Sequence, residues 1–388
     1  MSHTADAELE KAAPIPQPRC GELTAHRAPL PALTGIRFFA AMYVVFYHSH
    51  FPEALEQHHW FAAAQLIRNG LLAVPLFFML SGLILSYTYE GQIDRPSGYS
   101  RFYEARFARV WPLYFVSLLL STIFNHTTPH SLPIAAATLF MVQSWNPFNM
   151  GMAASWNFVC WTLSVEAFFY LLFPPIQQWL ERRRSSTLLV VLAIAVAIAT
   201  LGKTGGINYA DTRGLRYVPL ALVHLPEFVV GVCVGNLFLR KWVKQIGASF
   251  PGRGIVTVFV AIACLWLLCQ PLLGAAAWTA LGFALLLFCL AAERSPLQRL
   301  LSTRAMIIAG QISFGIYLLQ WPCKTVVNSV CNRAHVESMP ARFVIDCIVL
   351  ILISTAGFYG IEEHARRVIR EIFARNKQSV PRSLRSHD

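Results

Sequence analysis

The chain has 388 residues, 55% hydrophobic and only 13% charged, about half the charged share of roughly 25% found in soluble domains. Many apolar runs approach the ~20 residues that cross a bilayer and none alternates as a barrel strand does, which argues against a soluble enzyme, a disordered chain, a disulfide scaffold or a β-barrel. Lys and Arg number 32 against 20 Asp and Glu, a formal charge of +12; in so apolar a chain this excess belongs to loops on one side of a membrane, not to nucleic-acid binding.

In chain order, residues 1–28 hold Asp6, Glu8, Glu10, Lys11 and several prolines but no apolar core. They are expected to form a disordered cytoplasmic tail, not a cleaved signal peptide. Spanning helices are predicted at 33–51, 70–89, 106–124, 157–178, 187–203, 217–239, 255–271, 273–292, 305–329 and 342–362. The apolar stretch at 133–143 is too short to cross and is expected to be re-entrant or interfacial. The fold is therefore read as all-α: a polytopic membrane helical bundle of about ten transmembrane helices plus that short segment. It forms one domain over 29–365, followed by a basic cytoplasmic tail at 366–388.

Basic residues cluster after every even-numbered span: Arg95, Arg101, Arg106 and Arg109; then Arg182, Arg183 and Arg184; then Arg240, Lys241 and Lys244. Arg294, Arg299 and Arg304 follow the eighth span, and Arg366, Arg367, Arg370, Arg375 and Lys377 the tenth. Ten spans with both termini in the cytoplasm satisfy this pattern. The nine cysteines include no CxxC pair, and Cys233, Cys264, Cys289 and Cys347 sit inside apolar runs as packing residues. No metal-ligand spacing is present, and HExxH, Walker A, GxGxxG and GxSxG motifs are absent.

Ionisable side chains within spans cost several kcal/mol in hydrocarbon and mark candidate functional positions. Arg37 and His48 lie eleven residues apart in the first span, close to three helical turns, so they share a face about 16.5 Å apart along the axis. Arg106 and Arg109, at i,i+3, share a face of the third span. Two guanidiniums side by side suit an anion such as phosphate, or simply the positive side of the membrane. Glu166 falls near mid-membrane with Ser164 and Tyr170 beside it. His224 and Glu227, also i,i+3, are placed to pair with each other next to Pro226. Asp346 lies near a helix end, and Gln311, Tyr317 and Gln320 give the ninth span a polar stripe.

An imidazole can take the proton of an attacking hydroxyl, a carboxylate can orient that imidazole, and arginines can hold a phosphorylated donor such as coenzyme A. Those parts suit acyl transfer. They equally suit a proton-coupled transporter or exporter in which His48 and Glu166 relay protons, or a scaffold among polysaccharide-assembly proteins.

Several blocks resemble the acyltransferase 3 family. Leu33-Thr34-Gly35-Ile36-Arg37 closing on His48 is similar to the opening Arg-x10-His helix of that family. Phe77 to Gly82 resembles its second-span block. Arg106-x-x-Arg109 followed by Pro112 resembles its third, and Trp161-Thr162-Leu163-Ser164-Val165-Glu166-x-x-Phe169-Tyr170 its fourth. Glu227-Phe228 and Ile312-Ser313 through Trp321-Pro322 are similar to later, weaker blocks.

The resemblance implies a ten-span enzyme of the bacterial inner membrane that moves an acetyl or other short group from acetyl-CoA or another acyl-CoA. The acceptor would be a hydroxyl of a surface polysaccharide, a lipid-linked glycan or a related molecule, and no metal is implied. It gives His48 and Glu166 catalytic roles and acyl-CoA binding to Arg37, Arg106 and Arg109, with Ser164, Tyr170, His224, Glu227, Tyr317 and Gln320 in possible support. Thr34, His224 and Gln320 depart from residues that the family often carries (Asp, Arg and His). The chain is expected to leave no room for the extra esterase-like domain of some members.

Overall fold

In the computed structural model the described residues are 28–49, 51–146, 156–204, 218–240, 254–292 and 295–379. Residues 1–27 of the predicted tail at 1–28, the basic residues Lys241, Lys244 and Arg294, and residues 380–388 lie outside them. Every element among the described residues is helical, with no strand. Seven helical segments are long and apolar enough to cross a membrane: Phe61–Tyr89, Gly98–Asn125, Phe158–Glu181, Ser185–Gly202, Gly274–Ala292, Arg304–Arg333 and Met339–Ile369. Three shorter apolar helices, Pro31–Tyr47, Leu225–Leu239 and Ile255–Leu268, fall where the sequence predicts the first, sixth and seventh spans.

The principal helices are α1 (Pro31–Tyr47), α2 (Ala73–Tyr89), α3 (Gly98–Asn125), α4 (Leu132–Leu139), α5 (Trp161–Glu181) and α6 (Ser185–Thr204). They are followed by α7 (Leu225–Leu239), α8 (Ile255–Leu268), α9 (Leu272–Ala292), α10 (Arg304–Arg333), α11 (Met339–Gly357) and α12 (Glu363–Ser379).

Three predicted boundaries are corrected. The third span starts at Gly98 rather than 106, because Arg, Glu and Ala are good helix formers and the left-handed turn at Ser97 (φ 60°) sets the start. The sixth does not run unbroken over 217–239. Pro226 has no N–H to continue a helix, so a short turn at Leu220–Val223 ends at His224 and α7 begins anew. At the C-terminal side, the region expected to be a tail from 366 starts within a helix, since α11 passes through a π-helical turn at Phe358–Glu362 into α12.

Around 133–143, α4 spans only eight residues, about 12 Å. The loop after it folds inward with Gln143 and Ser144 buried. Gln143 Nε2 donates to the Cys160 carbonyl at 3.2 Å, and the Ser144 N–H donates to Ser164 Oγ at 2.9 Å. Protein donors and acceptors thus meet the Gln143 Nε2 and the Ser144 N–H, while Gln143 Oε1 is buried without a donor.

The helices pack through three apolar clusters. One joins α1 and α2 to α6–α9, a second joins α1 to α3, α5, α10 and α11, and a third joins α2, α5 and α7. Helix α7 lies directly on α2, because a Cβ at Gly231 would fall on the Met79 carbonyl and one at Gly82 on that of Phe228; small residues permit such close backbone approach. On the periphery, Ile194 and Ile198 of α6, Phe259, Ile262 and Trp266 of α8 and Ile348 and Leu352 of α11 are exposed, which suits contact with lipid.

Candidate active site

Inside the bundle, α1, α2, α3, α5 and α10 surround a cavity of about 740 Å³ including its open mouth. Arg37, Arg106 and Arg109 line it together with Ser81, Glu166 and Tyr170. Glu166 accepts from Ser81 Oγ at 2.9 Å and from the Tyr170 hydroxyl at 2.5 Å. Arg106 lies against the Tyr89 and Phe102 rings, 5.7 and 6.0 Å from their centroids. The Nε atoms of Arg37 and Arg106 are buried without a hydrogen-bond acceptor. Three guanidiniums facing one carboxylate, with donors left over, make a seat for an anion.

Behind this wall stands Glu362, 1% exposed. Its Oε2 accepts from Arg366 at 2.8 Å, and Arg37 and Arg109 are near enough to interact with it electrostatically. Sequence reasoning missed it. A carboxylate at a predicted span end beside a run of arginines reads as part of the basic loop; the signal was its position at the close of an apolar run.

At the other end of α1, His48 faces a vestibule of about 2320 Å³ including its open mouth. Tyr47, Trp156, Phe158, Trp161 and Trp321 supply aromatic walls, and Asn125, Thr127 and Thr128 polar ones. His48 is oriented by Gln320 of α10, with Nδ1 2.8 Å from Gln320 Oε1. The amide's own Nε2 donates to the Tyr317 carbonyl at 2.8 Å, which fixes its oxygen toward the ring. Nδ1 therefore carries the proton, and Nε2 keeps the lone pair that a general base needs. Lys324 Nζ donates to the His48 carbonyl at 2.6 Å.

Pro322 shapes this corner. It removes the N–H that would serve the Leu318 carbonyl, and Asn157 Nδ2 donates there instead at 3.1 Å. The Asn157 side-chain oxygen also accepts from Val159 N, capping the turn at Phe158–Cys160.

The two cavities share two wall residues, Val74 and Tyr317. Arg37 and His48 thus line consecutive compartments along one helix. The structure does not bring Glu166 to His48: Glu166 sits on the arginine side, and the partner of His48 is Gln320. The reason is register between helices. His48 lies 5.9 Å from the Phe158 ring, while Glu166 is more than a turn further along α5.

Ser164 anchors the inward loop, since its carbonyl also accepts from Trp145 Nε1 at 2.8 Å. His224 and Glu227 are buried side by side, Nδ1 to Oε1 3.6 Å, with the His224 ring between Phe78 and Trp161. They line neither cavity. Among the described residues no group of three His, Cys, Asp or Glu could hold a metal ion.

A family model described as an acyltransferase domain matches residues 30–359. Acyltransferase MdmB of Streptomyces mycarofaciens is 28% identical over 323 residues, covering 75% of this chain and 78% of that protein. The putative peptidoglycan O-acetyltransferase YrhL of Bacillus subtilis is 24% identical over 385 residues, covering 88% of this chain and 56% of YrhL. O-acetyltransferase OatA of Staphylococcus aureus is 22% identical over 367 residues, covering 89% and 58% respectively. The chain thus spans a little over half the length of these last two. No solved structure matches.

Proposed function

The chain belongs to the acyltransferase 3 family, and we propose that it is an integral-membrane O-acyltransferase. It moves an acetyl or other short acyl group from acyl-CoA to a hydroxyl of a surface polysaccharide, a lipid-linked glycan or a related acceptor. In this reading the protein crosses the bacterial inner membrane about ten times, with the segment at 133–143 re-entrant and both termini cytoplasmic. The arginine cavity opens to the cytoplasm and the vestibule to the outside. One observation carries the proposal: Arg37 and His48, on one helix, line two cavities that meet at Val74 and Tyr317.

Arg37, Arg106 and Arg109 bind the coenzyme A phosphates, supported by the unpartnered Nε donors. Glu166, held by Ser81 and Tyr170, keeps the arginines spaced; it does not tune His48. The pantetheine arm carries the thioester toward the vestibule. His48 Nε2 takes the proton of the acceptor hydroxyl as its oxygen attacks the thioester carbonyl. The Trp321 ring walls this side of the vestibule, 5.6 Å from that of His48. Collapse breaks the C–S bond, and the imidazolium returns its proton to the departing thiolate. The aromatic and amide-bearing walls of the vestibule suit a hydroxylated ring as acceptor.

Mass spectrometry of surface glycans and small metabolites from cells with the wild-type gene, without it, and with His48→Ala tests the proposal. Loss of an acetyl or short-acyl increment in both altered strains is expected, with His48→Ala protein still inserted. Unchanged acylation alongside lost export of a solute would replace the enzyme reading by the transporter one.

A further inference from the structure

Val74 and Tyr317 are the wall residues common to the arginine cavity and the His48 vestibule, and we infer that they form a neck that selects the acyl group by its cross-section, passing straight short chains and stopping chains branched next to the carbonyl. The neck presupposes the transfer reaction proposed above and adds donor selection to it.

The constriction is built from side chains that cannot readily move aside. The Tyr317 hydroxyl lies 2.9 Å from Thr162 Oγ1 and donates to the Val159 carbonyl at 3.4 Å. Its ring meets Phe77 edge-on at 6.0 Å, and the residue is 8% exposed. Its backbone is engaged as well, since its carbonyl accepts the Gln320 amide. Val74, 2% exposed and β-branched, has essentially one χ1 rotamer in a helix.

The end of the pantetheine arm next to sulfur is a two-methylene unit with the cross-section of a straight acyl chain, so a neck that admits one admits the other, while the wider amide and dimethyl part of the arm stays on the arginine side. A methyl branch at the carbon beside the carbonyl widens the chain just where it must pass two pinned walls. A site of fixed apolar shape discriminates one extra methyl-sized group by roughly 10- to 200-fold. The lining residues of the arginine cavity and of the vestibule have no other member in common, so these two side chains frame the passage between them.

The test uses the full-length protein in lipid nanodiscs, with native cell-envelope extract as acceptor, and measures thiol released from acetyl-CoA, butyryl-CoA and isobutyryl-CoA against His48→Ala as background. Wild type should use acetyl-CoA and butyryl-CoA and prefer each over isobutyryl-CoA at least tenfold. Tyr317→Ala should raise the isobutyryl-to-butyryl ratio about tenfold or more. Val74→Ala, which removes two methyl groups and no hydrogen bond, should raise it in the same direction and serves if Tyr317→Ala does not fold. Tyr317→Phe, which keeps the ring but gives up the hydroxyl contacts to Thr162 and Val159, should raise the ratio by less than Tyr317→Ala does. Ready use of isobutyryl-CoA by wild type, or a ratio unmoved in Val74→Ala, overturns the neck while leaving the transferase intact. Absence of His48-dependent thiol release from every donor overturns the transferase and the neck with it.

Discussion

Replacing Gln320 by leucine isolates what orients the imidazole. In the native arrangement Gln320 Oε1 accepts from His48 Nδ1 at 2.8 Å, and the amide is pinned by its second bond to the Tyr317 carbonyl. Leucine is similar in volume and cannot accept. The Nδ1–H is then left in a partly buried site without a partner, a penalty of about 1–3 kcal/mol, which is a factor of roughly 5–150 in the population of the productive tautomer. The turnover number for acetyl-CoA-dependent acylation should fall within that range. The KM for acetyl-CoA should stay close to wild type, because the arginine cavity is untouched. Gln320→Glu, which still accepts from Nδ1, should retain more activity than Gln320→Leu. Steady-state thiol release in nanodiscs measures both parameters, and size-exclusion behaviour in detergent checks folding. A wild-type turnover number in folded Gln320→Leu would refute the claim that this amide sets the tautomer.

Other substitutions separate donor binding from fold. Arg106→Ala should raise the KM for acyl-CoA by about tenfold or more, as expected for loss of a charge-assisted phosphate contact worth about 1.5–3 kcal/mol; a KM unchanged in titrations of acetyl-CoA would remove Arg106 from the donor site. Asn157→Ala removes both the cap on Val159 N and the donor to the Leu318 carbonyl beside Pro322. It should lower stability by about 1–3 kcal/mol, read as a reduced melting temperature in detergent, and an unchanged melt would show that water replaces it fully.

What the sequence made legible was whatever one helix decides alone. Eleven residues amount to three turns, so Arg37 and His48 had to share a face, and an i,i+3 spacing had to set Arg106 beside Arg109. The apolar runs located the helices themselves. Contacts between helices were another matter. His48 and Gln320 are 272 residues apart, and no periodicity records the axial offset that puts Gln320, not Glu166, at the imidazole. Helix ends were misread where local chemistry overrides hydropathy: the polar first turns of α3 extend a helix that an apolar run would start at 106, and Pro226 breaks one that hydropathy leaves whole. Glu362 stayed hidden because its meaning depends on Arg37 and Arg109, which lie on other helices.

The neck also bears on which of the functional readings the fold supports. A transporter must pass its whole cargo from one side to the other, whereas an acyltransferase need pass only the acyl end of a thin pantetheine arm while the nucleotide stays on the arginines. Here a large vestibule and an arginine cavity meet at a fixed tyrosine and a β-branched valine. A glycan or a nucleotide would have to break the Tyr317–Thr162 contact and displace the Phe77 ring to get through. An acetyl group on its linker is far smaller. The charge distribution points the same way: the guanidiniums lie on one side of the constriction and the His48 imidazole on the other, so in the proposed reaction the anionic carrier would be retained where the arginines are and the reacting carbonyl would meet its base beyond them. Substituting Val74 by phenylalanine follows from this logic. Closing the neck should abolish acyl transfer while leaving coenzyme A binding, measured by isothermal titration, within about twofold of wild type. Loss of coenzyme A binding in a folded Val74→Phe protein would mean that the carrier itself reaches past the neck, and the division of labour between the two cavities would be wrong.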